Sequence, residues 1–389
     1  MSELDAPTLE ERGSLNVLVV DDDPFINRLV QIRLKNRGYQ VISASDGEKA
    51  LELIRSVLPD LVFLDVAMPK VGGLQVLEEI RRSKLDVAVI MMTAFGSESI
   101  AVEAMRHGAD DYLPKPFEPS GFEAVLERTV RRLLLTRQNV MLRRRLDLEM
   151  AQAAQVQVDL LPQAVPELAH FEVAVFFRSA RAVSGDFYDW YQDGQMLAFT
   201  LGDVMGKGMP AALLMATARA VMRVAGELRT PALALNTAAQ VLGPDLERSG
   251  RFVTLFHCQL DSATRRFTYA NAGHRLGFVL RAQGALEEFE AQGLPIGILP
   301  DESYTEQTLN LAPGDWVVIY SDGLIDARGD EGSAVEALAA VLAGANGAAQ
   351  AVDRLVALAV PPGELPDDLT LLVLHCKAEG EPIKSGAST

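Results

Sequence analysis

Two kinds of apolar pattern alternate along the first third of the chain. Short runs such as LNVLVV, DLVFLD and VAVIMMTA are apolar and rich in β-branched residues, which is typical of strands buried on both faces of a parallel sheet. Between them lie segments with helix signals, for example FINRLVQIRLKNRG, which Pro24 opens and Gly38 ends. This alternation predicts a doubly wound α/β domain over residues 15–120.

Polar residues fall at the C-terminal ends of these predicted strands, where doubly wound sheets bind their ligands. Asp21 and Asp22 follow the first strand and Asp65 ends DLVFLD, so their carboxylates could chelate a divalent cation. Thr93 and Lys115 lie at the next two strand ends, where a hydroxyl and an ammonium could hold the oxygens of a phosphoryl group on Asp65. Helix capping would explain any one of these residues, but not five at one end of a sheet.

Residues 121–165 have a different composition, which predicts a helical linker. Leu, Arg, Glu, Gln and Ala dominate, and no glycine or proline lies between Phe122 and Leu161. Apolar residues recur in this linker at spacings of three and four, with Glu149 in one position of the series: Leu142, Leu146, Ala153, Val156 and Leu160. The repeat predicts a coiled coil that pairs two protomers. A helix packed against its own domain is the alternative.

The charge balance limits the partners of the protein. The chain of 389 residues carries 53 acidic and 36 basic side chains, a net charge of −17, which disfavours binding to nucleic-acid phosphates. Seven arginines between Arg128 and Arg145 suggest a DNA-binding basic region as a further alternative, but the sequence has no helix-turn-helix pattern to present it.

The sequence also indicates a compartment. It contains no apolar run long enough to span a membrane, and its N-terminus lacks the apolar core of a signal peptide. Cys258 and Cys376 both lie in apolar runs and are interpreted as packed thiols in a reducing environment. We therefore expect a cytoplasmic protein without nucleic-acid or membrane partners.

From residue 166 to residue 377 the pattern changes to a series of short strand-like runs separated by turn residues. Examples are FEVAVFFRSA, RFVTLFHCQLD and DLTLLVLHC, and helical segments are inserted between some of the runs. This order predicts an α+β sandwich rather than a second parallel sheet. The segments 1–14 and 378–389 flank the predicted domains and are expected to be flexible.

Four aspartates of this second domain lie at predicted strand ends or in tight turns: Asp186, Asp203, Asp322 and Asp367. Carboxylates without histidine or cysteine neighbours favour Mg²⁺ or Mn²⁺ over zinc. Two such ions about 4 Å apart can activate a bridging water, so that hydrolysis needs no protein nucleophile. The alternative is that each aspartate is an ordinary turn residue, as in the Asp-Gly pair at 322–323.

Other hydrolytic chemistry finds less support in the sequence. A thiol phosphatase needs an arginine that follows its cysteine after five intervening residues. After Cys258 that position is occupied by Thr264, and Arg265 comes one place late. His274, in ANAGHR, is the candidate general acid among the histidines, and a packed or turn histidine is the alternative interpretation.

Four motifs of the first domain, VLVVDDDP, VFLDVAMPKVGGL, MMTA and DYLPKPF, resemble those of receiver domains of bacterial response regulators over roughly residues 15–135. The resemblance implies a flavodoxin-like fold and phosphorylation of Asp65 by a histidine kinase. It further implies Mg²⁺ bound by Asp21, Asp22 and Asp65, with Thr93, Lys115 and the aromatic Tyr112 forming the switch.

The motifs SGDFYD, GDVMGKGMPAALLM, YANAGH, GLPIGI, GDWVVIYSDGLIDA and PDDLTLLVL resemble, in this order, those of SpoIIE-type protein phosphatases of the PPM (protein phosphatase 2C-like) family. AAQVQVDLLPQ resembles the segment that precedes their catalytic domain. The resemblance implies an αββα sandwich that holds two Mn²⁺ or Mg²⁺ ions. The implied ligands are Asp186, Asp203, the backbone carbonyl of Val204, Asp322 and Asp367.

This chain departs from the family pattern at three positions. Ser184 stands where glycine is usual, Lys207 where histidine is frequent, and Asp326 where glutamate is usual. The segment that follows Asp326 is also short. None of these departures removes an implied ligand, so they bear on substrate preference rather than on metal binding.

Together the two resemblances suggest a response regulator in which phosphorylation of Asp65 controls a metal-dependent serine/threonine phosphatase. In the SpoIIE-type family the substrate is usually a phosphoserine on a STAS-domain anti-anti-sigma protein. The expected partners are therefore a histidine kinase, such a phosphoprotein and a second copy of the chain. The rival hypothesis is a non-catalytic adaptor that captures a sigma factor, but a degenerate domain has no reason to keep all four acidic residues.

Overall fold

The computed structural model describes residues 15–94, 98–227, 230–326, 334–360 and 365–377. The terminal segments that the sequence predicts to be flexible, 1–14 and 378–389, lie outside the described residues. Contacts divide the chain into two units between Arg145 and Leu146. None of the described helices combines the length and the apolar character needed to cross a bilayer.

The first unit contains a parallel sheet. Its strands are β1 (Asn16–Val20), β2 (Gln40–Ala44), β3 (Leu61–Asp65), β4 (Ala88–Ala94) and β5 (Asp111–Lys115). They lie in the order β2-β1-β3-β4-β5, and every neighbouring pair is parallel. Because the strands run in one direction, their C-terminal ends meet at one end of the sheet. The predicted doubly wound α/β fold is confirmed.

Helices connect these strands and cover both faces of the sheet. They are α1 (Pro24–Lys35), α2 (Gly47–Val57), α3 (Gly73–Arg82) and α4 (Glu98–Arg106). Alternate residues of β1 pack into different cores: Val19 lies in the cluster that contains α1 residues, and Val20 in the cluster that contains α2 and α3 residues. The Asp23 carboxylate caps α1 by accepting a hydrogen bond of 2.8 Å from the Phe25 amide, which fixes where the helix begins.

One long helix, α5 (Pro119–Leu160), occupies the segment predicted to be a helical linker. Its first turns are part of the first unit's core, because Phe122, Leu126 and Val130 are buried against the sheet. Farther along the helix, large apolar side chains are between 51% and 69% exposed: Met141, Leu142, Leu146 and Leu148. The helix therefore packs against its own domain at its start, while the coiled coil stays a prediction.

Acidic side chains of the first unit pair with part of the arginine-rich stretch on α5. Arg128 lies 2.7 Å from the carboxylate of Asp111, and Arg137 lies 2.6 Å from that of Asp60. Both ion pairs hold the helix at the N-terminal end of the parallel strands, since Asp111 begins β5 and Asp60 precedes β3. They give these arginines a role within the domain that does not involve nucleic acid.

The second unit is built from two antiparallel sheets. Its strands are β6 (Phe171–Arg178), β7 (Asp186–Asp193), β8 (Met196–Val204), β9 (Val253–Asp261), β10 (Arg266–Ala272), β11 (Gly277–Leu280), β12 (Leu286–Glu288), β13 (Gln307–Asn310), β14 (Trp316–Tyr320) and β15 (Leu369–Cys376). One sheet has the order β13-β10-β9-β8-β7 and the other β12-β11-β14-β15-β6. All of these neighbours pair antiparallel.

Helices lie outside both sheets of this unit. They are α6 (Met209–Ala225), α7 (Pro231–Ser249), the single-turn α8 (Gly323–Asp326), α9 (Ala334–Leu342) and α10 (Ala348–Ala359). Between the sheets, Phe199 and Leu255 of the first pack in one core with Ile319 and Leu372 of the second. Helices α6 and α7 contact the first sheet, and α10 contacts the second. The predicted α+β sandwich is confirmed.

Candidate functional sites

The end of the parallel sheet gathers three carboxylates of the first unit. Asp21 directly follows β1 and Asp65 ends β3, which is the neighbour of β1 in the sheet. One carboxylate oxygen from each of Asp21, Asp22 and Asp65 lies within 4.8 Å of the others. Asp21 and Asp65 are buried and Asp22 is exposed, so a cation could enter from the side of Asp22. Three oxygen ligands of this kind fit Mg²⁺.

Lys115 supplies a positive charge to the same group. Its ammonium lies 2.7 Å from Asp21 Oδ2 and 2.8 Å from Asp65 Oδ1. Burial raises the pKa of the Asp65 carboxyl, and the hydrogen bond from Lys115 offsets part of that rise. Burial alone would lower the pKa of Lys115, but its hydrogen bonds to the two carboxylates leave that pKa raised.

The other predicted switch residues lie on the neighbouring strands. Thr93 is buried on β4, one residue beyond the partner of Asp65 in the strand register. Tyr112, on β5, is 44% exposed. The sequence interpretation did not single out Gly73, where an added Cβ would lie 2.0 Å from the carbonyl oxygen of Asp65. This glycine lets α3 begin directly beneath the proposed phosphorylation site.

In the second unit, the facing sheets bring four aspartates towards one end of the sandwich. Asp186 begins β7 and is paired directly with Asp203 of β8. Asp322 follows β14, and Asp367 precedes β15, its antiparallel neighbour. Because adjacent antiparallel strands end and begin at the same side, each sheet contributes two of the four carboxylates.

The pKa values show that these carboxylates crowd one another. Burial raises the pKa of Asp186 well above its usual range, and the charge of Asp203 adds to the rise. Burial, followed by the charges of Asp322 and Asp367, raises the pKa of Asp203 to about 7. A divalent cation would relieve this repulsion, so the donor set fits Mg²⁺ or Mn²⁺. Within the described residues, however, three carboxylate oxygens approach within 4.8 Å only at the receiver cluster.

Lys207 lies beside this second acidic group. Its ammonium is 2.7 Å from Asp367 Oδ2 and donates to the carbonyl oxygen of Pro366 at 3.1 Å. The side chain is 40% exposed, so it also reaches the surface at the mouth of the group. Val204, whose carbonyl is an implied ligand, is buried at the end of β8, next to Asp203.

Asp368 does not face the acidic group as a free carboxylate. Its Oδ1 accepts a hydrogen bond from the Ala180 amide, and its Oδ2 accepts from the Ser184 hydroxyl and the Gly185 amide, each at 2.8 Å. The Ser184 hydroxyl in turn accepts from the Asp186 amide at 2.9 Å. Ser184 therefore joins Asp368 to the backbone of Asp186, a role that no periodicity in the sequence reveals.

A glycine controls how closely the second pair of aspartates can approach. An added Cβ at Gly323 would lie 2.0 Å from the carbonyl oxygen of Asp368. Only glycine allows the turn after Asp322 to pass this close to the start of β15. The sequence interpretation predicted Asp322 as a metal ligand and considered Gly323 only as part of a possible turn pair, so it missed this contact.

The remaining candidate residues, one histidine and two cysteines, are packed inside the fold. His274 is buried, with Nδ1 3.1 Å from Thr254 Oγ1 and Nε2 3.0 Å from the Tyr320 carbonyl oxygen, and burial lowers its pKa to about 4. Both ring nitrogens are engaged, as expected for a packed histidine. Cys258 and Cys376 are buried and free, and burial raises the pKa of both thiols. The short segment after Asp326, residues 327–333, lies outside the described residues.

Comparison with known families agrees with both halves of the architecture. Residues 17–127 match the model of the response regulator receiver domain, and residues 193–377 match the model of stage II sporulation protein E (SpoIIE). The chain therefore combines a response regulator receiver domain with a SpoIIE domain of the PPM phosphatase class. Asp186 lies just before the matched SpoIIE region.

Individual relatives cover one half or the other. The phosphoserine phosphatase RsbU of Bacillus subtilis is 32% identical over 182 residues, 46% of this chain and 54% of its own. The probable transcriptional regulator ycf27 of Guillardia theta is 45% identical over 116 residues, 30% of this chain and 45% of its own. The chain thus spans about half the length of these curated relatives.

A solved structure supports the fold of the second unit. The SiaA-PP2C domain of Pseudomonas aeruginosa superimposes with a TM-score of 0.50 at 22% identity. The match covers 60% of this chain and 98% of that domain. It is evidence for the PP2C-type sandwich only.

The crowding of Asp203 predicts how metal-free protein responds to pH. The pKa of Asp203 is about 7 in the folded chain and near 3.8 in the unfolded chain, so the unfolded state releases this proton first as pH rises. Metal-free protein should therefore lose stability between about pH 4 and pH 7. Asp203→Asn should raise the Tm at pH 8 in EDTA by roughly 5 °C, measured by differential scanning calorimetry.

Mn²⁺ provides the complementary measurement. Addition of Mn²⁺ at pH 8 should raise the Tm of the wild type and leave that of Asp203→Asn nearly unchanged. Asp193→Asn, at the exposed far end of β7, the strand that pairs with the strand of Asp203, is the matched control and should behave as wild type. A lower Tm of Asp203→Asn in EDTA would contradict the assigned repulsion.

Proposed function

We propose that this protein is a response regulator whose output is a metal-dependent serine/threonine protein phosphatase. The observation that carries the proposal is the convergence of two aspartates from each sheet, with raised pKa values at Asp186 and Asp203. Carboxylates that are held close together lower the stability of the folded protein, and such an arrangement is expected where a cation binds. The adaptor alternative offers no reason to keep them together.

The proposed ligands are Asp186, Asp203, the Val204 carbonyl, Asp322 and Asp367. Bound Mg²⁺ or Mn²⁺ would supply Lewis-acid activation of water for hydrolysis of a phosphate monoester. The paired strands β7 and β8 hold Asp186 and Asp203 in register. The Lys207 ammonium, already beside Asp367, would add positive charge near the phosphoryl oxygens of a substrate.

The proposed regulatory input is phosphorylation of Asp65 by a histidine kinase. Asp21, Asp22 and Asp65 would bind the Mg²⁺ needed for phosphoryl transfer, as their clustered oxygens permit. Lys115 already contacts Asp65, and Thr93 is buried on the adjacent strand. Tyr112 is exposed and so has room to change its packing when the site is modified.

The proposed substrate is a phosphoserine on a STAS-domain anti-anti-sigma protein. Two facts support this choice: the family resemblance of the motifs and the similarity to RsbU, a phosphoserine phosphatase. The site itself selects only for a phosphate monoester that can reach the end of the sandwich.

The proposed homodimer forms through α5. Leu142 is 57% exposed and Leu146 is 51% exposed in the single chain, although both are apolar. Burying such side chains against a second copy would gain roughly 1.5–3 kcal/mol for each large apolar residue. The spacing of three and four residues is that of a coiled-coil seam.

Hydrolysis of p-nitrophenyl phosphate tests the catalytic proposal. The intact chain should hydrolyse it in Mn²⁺ and lose activity in EDTA. Asp203→Asn and Asp322→Asn should each lower kcat/KM at least roughly 100-fold, because several kcal/mol of transition-state stabilisation depend on the ions. Asp193→Asn is again the control. Absence of metal-dependent turnover in the wild type, with and without acetyl phosphate, would favour the adaptor.

Acetyl phosphate tests the regulatory proposal. Incubation with this phosphodonor and Mg²⁺ should change the phosphatase rate of the wild type, and Asp65→Ala should remove that change because the acceptor is gone. Asp86→Asn alters a carboxylate that is 80% exposed and should keep the response. A response that persists in Asp65→Ala would show that the receiver is not the input.

Light scattering tests the dimer. The wild type should have twice the chain mass of 42.2 kDa. Leu142→Asp combined with Leu146→Asp should shift it towards the monomer, because charges in the seam oppose pairing. Leu148→Asp changes a side chain that is 67% exposed and lies outside the predicted seam, so its mass should stay that of the wild type. A monomeric wild type in both phosphorylation states would contradict the proposal.

A further inference from the structure

Gln157, near the end of α5, makes an unusual buried contact with the loop before β7. The Ser184 amide donates to Gln157 Oε1 at 2.9 Å, and Gln157 Nε2 donates to the Ser184 carbonyl oxygen at 3.1 Å. A further contact of 3.4 Å joins Nε2 to the carbonyl oxygen of Ala212, in the first turn of α6. Gln157 is only 8% exposed, so these contacts are protected from water.

Ser184 links Gln157 to the acidic group through its own hydrogen bonds. Its hydroxyl accepts from the Asp186 amide at 2.9 Å and donates to Asp368 Oδ2 at 2.8 Å. The residues between β6 and β7 form no regular hydrogen-bonded structure, so side chains must fix their path. Gln157 anchors one side of the loop end and Asp368 the other. Ala212 lies on the helix that follows the Asp203 turn, so Gln157 contacts both the loop that leads into β7 and the helix that follows β8.

We propose that Gln157 is a positioning residue that sets the affinity of the second unit's acidic group for divalent metal. The inference rests on the proposed metal site and adds the residue that orients Asp186 within it. A side-chain amide matches both hydrogen-bonding groups of the Ser184 backbone at once. Its loss would leave a buried N–H and a buried C=O unpaired and free the loop that carries Asp186.

Two substitutions separate positioning from simple packing. Gln157→Ala removes both hydrogen bonds. Gln157→Glu keeps the volume and the acceptor for the Ser184 amide, but it places a carboxylate oxygen against the carbonyl oxygens of Ser184 and Ala212. Gln155→Ala is the matched control, because Gln155 is exposed on the same helix and its amide contacts only Asp159, at 2.8 Å, among its described hydrogen bonds.

The chain offers a metal-binding readout that is specific to this unit. Its two tryptophans, Trp190 and Trp316, lie on β7 and β14, the strands that carry Asp186 and lead to Asp322. Quenching of tryptophan fluorescence by Mn²⁺ therefore reports binding in the second unit rather than at the receiver. Circular dichroism and Tm in EDTA report whether each variant is folded.

In the full-length protein, both Gln157 variants should raise the Kd for Mn²⁺ by about 10- to 100-fold, as loss of an outer hydrogen-bonding partner does at metal sites. Gln155→Ala should bind as wild type, and saturating Mn²⁺ should restore most of the kcat of Gln157→Ala. A Kd within twofold of wild type in both Gln157 variants would overturn the inference. So would weakened binding that appears only together with loss of the folded circular dichroism spectrum.

The test of Gln157 gives a result that can be distinguished from a failure of the proposed phosphatase function. If the wild type binds Mn²⁺ but hydrolyses no phosphoester, the phosphatase proposal fails and the Kd values still decide the role of Gln157. If the wild type does not quench with Mn²⁺, both proposals fail.

Discussion

Repulsion between buried carboxylates is the constraint on which the second unit depends. Asp186 and Asp203 face each other in register on β7 and β8, and burial together with the charge of Asp203 raises the pKa of Asp186 well above its usual range. Thr370 donates to Asp186 at 2.7 Å from the opposite sheet. The two sheets therefore hold the acids together by packing and neutral donors. A divalent cation bound by these carboxylates would offset their repulsion, so the cost of holding them together would appear as affinity for the cation.

The two acidic groups differ in how their charge is balanced. In the receiver, the Lys115 side chain is only 18% exposed and contacts both Asp21 and Asp65, so an internal cation is always present. In the second unit, Lys207 contacts Asp367 from the surface, and Asp186 with Asp203 gain relief mainly from protonation. Metal should consequently contribute more to the stability of the second unit than to that of the receiver.

Patterns that repeat along the chain were sufficient to predict both folds and the strand ends that carry the aspartates. Apolar runs separated by turn residues reflect burial, and burial affects all inward-facing positions of a strand or helix, so it leaves a repeating pattern in the sequence. Contacts made by single polar residues leave no such trace. In the sequence, Gln157 is one of several polar residues of a helix and Ser184 is a departure from glycine. Only the structure shows that the two residues are joined by hydrogen bonds. Gly323 likewise looks like a turn glycine, although the carbonyl oxygen of Asp368 excludes any side chain there.

Helix α5 gives the proposed control a physical route that depends on its stiffness. Its first turns are fixed in the receiver core by Phe122 and Val130, and Gln157 lies in the same continuous helix. A change of packing at its start can reach Gln157 only while the segment between them stays helical. That segment has exposed apolar residues, Met141 and Leu148 among them, so packing within its own chain contributes little to its stability. The proposed pairing of two α5 helices would supply that stabilisation, and under this proposal dimerisation would be a condition for signalling rather than an accompaniment to it.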